Sequence, residues 1–201
     1  MWELLNENVF GTWISGGPLM IALAILALFI YGTVMQVLFY LRNLKELRQD
    51  YNSWGHWVES PKDGHGLVGD MIRYTQHNLY SKNDMLMRFE ILKNKILSPL
   101  DRQIRLGTTV VAAAPLLGLL GTVIGMLATF LGLSVSYGGN SLDLVAGGIS
   151  EALITTQTGL VLAIPAMFFL VLARAQRRQL NHFLVELEAA TLSVLEKKGI
   201  Q

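Results

Sequence analysis

The chain has no cysteine, and only 15% of its 201 residues are charged, against roughly 25% in an ordinary soluble domain. Without cysteine there is neither a disulfide framework nor a thiolate metal site, and nothing in the sequence reports a redox compartment. The four histidines, His56, His65, His77 and His182, are scattered and show no paired-ligand spacing, so no metal site is expected. No catalytic constellation of nucleophile and base appears outside the apolar runs. The expectation is no enzyme, no catalytic residue and no cofactor. Nucleic-acid motifs are also missing, and Arg174, Arg177 and Arg178 read as a membrane-edge anchor. Lysine and arginine are absent from residues 1–41 and from 106–173. The first apolar run therefore lacks the basic leader of a secretory signal. Arg42, Lys45 and Arg48 follow it where a small-residue cleavage site would stand, so it reads as a retained membrane helix.

What the chain has instead is apolar length. Hydrophobic residues make up 52% of it and its mean hydropathy is +0.41. Three segments, 18–41, 106–135 and 151–173, reach or exceed the roughly 20 residues a helix needs to cross a hydrocarbon core. As soluble core helices they would need more amphipathic chain to cover them than the flanks supply. The expected fold is all-α, an integral membrane protein with three transmembrane helices and long helical cytoplasmic extensions.

All sixteen basic residues fall within 42–105 and 174–198. The positive-inside rule places those blocks in the cytoplasm, the amino terminus in the periplasm and the carboxyl terminus inside. The expected layout is a periplasmic segment 1–17, a first span 18–41, a cytoplasmic helical segment 42–105 and a second span 106–135. A periplasmic loop 136–150, a third span 151–173 and a cytoplasmic amphipathic helix 174–201 complete it. Trp2, Trp13 and Tyr137 are expected as outer interfacial anchors, and Tyr40 as an inner one.

Within the cytoplasmic segment, Leu41, Leu44, Leu47 and Tyr51 continue a helical spacing beyond the first span. Trp54 to Gly66 holds Gly55, Pro61, Gly64 and Gly66 and reads as a loop. Met85, Phe89, Leu92, Ile96 and Leu100 then line one helical face, with a kink or break expected at Pro99. In the tail, Leu180, Leu184, Leu187, Thr191 and Val194 repeat in a three-four pattern, the mark of an amphipathic helix packed on other cytoplasmic chain.

The second span carries a stripe of small residues, Ala114, Gly118, Gly121, Gly125, Ala128 and Gly132, in steps of four and three. Small residues let helix backbones approach closely in lipid, and helix packing accounts for the glycines. Thr108, Pro115, Thr122, Thr129 and Ser136 recur every seven residues along another face. Each hydroxyl alone can be satisfied by the preceding turn, whereas five aligned positions suggest a polar lining; packing and lining both stand as readings. The third span has its own small face, Ala152, Thr156, Gly159, Ala163 and Ala166, with Glu151, Thr155 and Thr158 beside it and Pro165 interrupting the ladder. Glu151 is either a functional ionisable group or a carboxylate complementing a helix start. No Asp, Glu, Lys, Arg or His lies in the middle of any span. A proton path would then need a titratable group from another polypeptide.

Residues Ala114 to Met126 resemble the AP-x-x-GL-x-GTV-x-G signature of the ExbB/TolQ branch of the MotA/TolQ/ExbB proton channel family. Gly148 to Thr156, followed by Gly159-Leu and Ala163-Ile-Pro165, is similar to that branch's GI-x-EAL-x-x-T-x-x-GL-x-x-AIP signature. The resemblance implies a homopentamer whose second and third helices surround a pore. A dimer of a single-span ExbD- or TolR-like partner would occupy that pore and contribute a membrane aspartate. Thr122 and Thr156 would face that aspartate, with Thr155 and Thr129 also on the ion pathway and Glu151 near its outer mouth. Gly118, Gly121, Gly125, Gly132 and Gly159 would serve helix packing, and Pro115 and Pro165 would kink their helices. The implied function is a proton-channel subunit in the inner membrane of a bacterium, energising an outer-membrane process such as TonB-dependent import through a TonB- or TolA-like protein. A flagellar or gliding motility stator, or a non-conducting scaffold, is the alternative. Thr155-Thr156-Gln157-Thr158 departs from the family's pattern in being more polar, which leaves the choice of ion in doubt.

Overall fold

The computed structural model describes residues 16–48, 51–77, 81–135 and 141–197. Trp2, Trp13, Ser136 and Tyr137 lie outside them. The described chain is all-helical, without a strand. Helix α1 is Leu19–Asn43, followed by a 3-10 turn Lys45–Arg48, α2 (Tyr51–Glu59), a second 3-10 turn Pro61–Asp63, and α3 (Gly66–Gln76). Two long helices complete the chain, α4 (Lys82–Val135) and α5 (Ser141–Lys197). Three of these, α1, α4 and α5, are long and apolar enough to cross a membrane. The protein is a multi-pass membrane protein.

The chain divides into two compact units, one formed by residues 1–34 and 106–170, the other by 35–105 and 171–201. The second unit has a continuous apolar core. Trp54, Val58, Ile72, Met85, Phe89, Leu100, Leu184 and Leu187 are among its buried residues. The face expected on α4 is there: Met85, Phe89, Ile96 and Leu100 are buried and Leu92 packs against them. The tail pattern holds as well, since Leu180, Leu184, Leu187, Thr191 and Val194 are all buried on α5. Around this core, Arg177 pairs with Asp101 at 2.7 Å, Lys82 with Glu196 at 3.0 Å, and Lys93 with Glu188. Each pair joins α4 to α5, with the α5 member moving toward lower numbers as the α4 member rises, which is an antiparallel register.

Three sequence expectations need correction. Residues 54–59, read as loop, are helical because Trp54 and Val58, four apart, both bury in the core. The Trp54 ring meets Phe183 edge-on at 5.5 Å. Burial of a large aromatic outweighs the roughly 1 kcal/mol that Gly55 costs a helix. The turn that does occur lies at Ser60–His65, where Gly64 and Gly69 touch backbone to backbone and Arg73 donates to the Gly64 carbonyl at 2.6 Å. Pro99 does not break α4, whose neighbours Leu97 and Leu100 are anchored in the core. Residues 141–150, read as loop, are helical as the start of α5. A helix suits Gly148 there because its missing side chain leaves room for Thr129.

Candidate functional site

The first unit is built on the contact of α4 and α5, and glycine sets its closeness. A Cβ on Gly159 would stand 2.6 Å from the Ala114 carbonyl oxygen, and one on Gly118 would stand 2.9 Å from the Thr156 Cα. A Cβ on Gly125 would meet the Ala152 side chain at 2.8 Å, and one on Gly121 would collide with Thr155. As α4 positions rise from Gly107 to Thr129, their α5 neighbours fall from Leu170 to Gly148, so these two segments also run antiparallel. The backbones come this near only because no side chain intervenes, which in an apolar medium replaces hydrophobic drive with dispersion contact. Gly132 is placed otherwise. Nothing within the chain lies within 4 Å of a Cβ built there.

Hydroxyls thread the same contact. Thr156 donates across it to the Gly118 carbonyl at 2.8 Å, an interhelical bond in a region with little water to compete. Thr129 donates to the Gly125 carbonyl and Thr155 to the Ala152 carbonyl, each at 2.8 Å. Both are buried, Thr129 against Gly148 and Thr155 against Gly121. Thr122 sits one turn along α4 from Gly118, is half-buried, and donates to the Leu119 carbonyl at 2.7 Å. The seven-residue stripe on α4 is therefore not uniform: Thr129 turns into the α5 contact while Thr122 keeps an accessible edge. A threonine hydroxyl that donates to its own helix retains acceptor lone pairs, so it can receive a proton-bearing group without breaking the helix.

Glu151 is half-buried near the start of α1. Its carboxylate lies over Gly17, whose φ of +68° is the left-handed turn from which Pro18 and α1 depart. Side chains with a Cβ rarely adopt that φ, and here the Cβ position is also filled by the carboxylate. A negative group at a helix start is favoured by the exposed N–H dipoles. Sequence reading did not find this juxtaposition; Ser15-Gly-Gly-Pro before an apolar run was the available signal. Pro115 is half-buried on α4 and Pro165 exposed on α5, and both lie within unbroken helix. Lacking an N–H, each leaves the carbonyl four residues earlier without its usual partner. Among the described residues no cluster of three His, Cys, Asp or Glu could hold a metal.

A profile of MotA/TolQ/ExbB proton channel proteins matches residues 75–185, more than half of the chain, and takes in the whole glycine contact. The chain belongs to that family. Among its relatives, the biopolymer transport protein ExbB-like 1 of Synechocystis is 42% identical over 100 residues, 48% of this chain and 39% of that protein. The biopolymer transport protein ExbB of Xanthomonas campestris is 48% identical over 60 residues, 30% of this chain and 23% of that protein. The chain thus covers well under half the length of these relatives. Their names identify the ExbB type within the MotA/TolQ/ExbB family.

Proposed function

We propose that this chain is the proton-channel subunit of an ExbB/TolQ-like motor in a bacterial inner membrane. It would use proton-motive force, together with an ExbD- or TolR-like partner, to energise an outer-membrane process such as TonB-dependent import. One observation carries the reading. The two family-matched apolar helices bring glycines and hydroxyls together, yet no titratable side chain lies in the middle of either. Protons crossing lipid need such a relay, so the geometry calls for a helix from elsewhere that brings a carboxyl group. A homopentamer around a partner dimer meets that need. Thr122 and Thr156 are the hydroxyls that hydrogen-bond the partner's carboxyl group, with Glu151 near the outer mouth. Thr155 and Thr129 support the pathway from inside the helix contact.

The test is proton uptake into liposomes holding the chain alone, the partner alone, or both, with assembly followed by native mass spectrometry. Uptake should need both. Loss of one hydroxyl bond to a charged group costs roughly 1.5–3 kcal/mol, so Thr122→Val and Thr156→Val should each lower uptake by about tenfold or more. The Ser variants should restore it, with assembly unchanged. Full uptake in both Val variants would overturn the channel reading in favour of a scaffold. In the same assay Glu151→Ala separates its two roles, because unchanged uptake leaves it only the helix start.

A further inference from the structure

Four arginines and one aspartate converge in the second unit. Asp101, Ile104 and Arg105 of α4 and Arg174, Arg177 and Arg178 of α5 line a cleft of ≈ 330 Å³. Asp101 grips Arg177 with two parallel bonds, 2.8 Å from Nε and 2.7 Å from Nη2, both partly buried. That fork fixes one guanidinium and balances its charge. Four guanidinium groups against one carboxylate leave three positive charges in excess around one small space. Spacings inside a cleft this size fall within the roughly 8 Å over which salt screens poorly, so the arrangement favours an anion held among them.

Position says which anion. In the sequence Arg105 directly precedes the uncharged run 106–135, and Arg174 directly follows the uncharged run 152–173. Val171 and Leu172, just before Arg174 in the same unit, are 50% and 41% exposed, apolar surface that a soluble phosphate would not use. Ile104 adds an apolar wall to the cleft itself. We propose that this cleft binds the phosphodiester headgroup of an anionic phospholipid, whose acyl chains cover the apolar surface beside it. Basic pockets at the cytoplasmic ends of membrane helices recognise lipids by this combination. The inference rests on the membrane reading and not on proton conduction.

The experiment uses the full chain in nanodiscs of phosphatidylcholine doped with phosphatidylglycerol, with retained lipid counted by native mass spectrometry. Wild type should retain phosphatidylglycerol in preference to phosphatidylcholine. Arg178→Gln should lower retention roughly fivefold, and Arg174→Gln with Arg178→Gln more than tenfold. Lys62→Gln with Lys95→Gln removes equal charge away from the cleft, Lys95 being roughly 15 Å earlier along α4, and should change retention less than about twofold. Equal loss in the two pairs would mean diffuse attraction and overturn the site. Displacement of phosphatidylglycerol by excess inorganic phosphate would overturn the lipid in favour of a soluble anion. Should the double variant misfold, Arg178→Gln decides alone, since that exposed side chain has no ion pair among the described residues.

Discussion

At the scale of single residues, space rather than charge governs the first unit. Gly159 faces the Ala114 carbonyl oxygen and Gly118 the Thr156 backbone, so an added methyl meets main chain that cannot rotate away. Gly159→Ala and Gly118→Ala should each destabilise by roughly 1–3 kcal/mol, the usual range for overpacking. Gly121→Ala is milder in kind, because Thr155 can turn part of its side chain aside. Gly132→Ala meets nothing within the chain and serves as the control. Thermal unfolding in detergent reads the series: the midpoint should fall for Gly159 and Gly118 and hold for Gly132. A fall at Gly132 as large as at Gly159 would show that clash within the chain is not what sets the order.

At the scale of elements, what was legible from sequence depended on whether one pattern ruled a whole segment. The three apolar runs stood out because charge is absent over lengths that only a membrane helix needs, and the three-four repeats on α4 and α5 followed from core burial. Glycine misled. Gly55 inside α2 and Gly147 and Gly148 inside α5 look like loop residues by propensity, but tertiary contact overrides propensity where a large neighbour needs the space or a large side chain needs the core. Among the candidate site residues, the glycines at the helix contact could be anticipated from their spacing. The different fates of Thr122 and Thr129 could not, because a seven-residue repeat drifts around a helix of 3.6 residues per turn and only the partner helix decides which hydroxyl it covers. Trp54 tests the element-scale argument. Trp54→Ala should cost about 3–5 kcal/mol and abolish protease resistance at α2. If resistance survives, Trp54 does not anchor that helix.

At the scale of the molecule, the two units differ in chemistry. Every ion pair among the described residues lies in the unit formed by 35–105 and 171–201. The other unit has none and leaves Leu116, Phe130, Leu153 and Ile164 each more than 60% exposed. Soluble monomers rarely carry apolar surface on that scale, so lipid, further copies of the chain, or both must cover it. The same division of charge predicts orientation. Each basic residue near the surface is attracted by about 1 kcal/mol to an anionic cytoplasmic leaflet, and all sixteen lie in the two blocks that flank the spans on one side. The natural absence of cysteine makes this directly measurable, since any single cysteine introduced is the only thiol. Lys62→Cys, exposed and outside every apolar run, should react with a membrane-impermeant maleimide only after the inner membrane is opened. Asn6→Cys should react in intact spheroplasts. The reverse labelling would place the basic blocks outside, and with them the direction of proton flow proposed for the complex would fail.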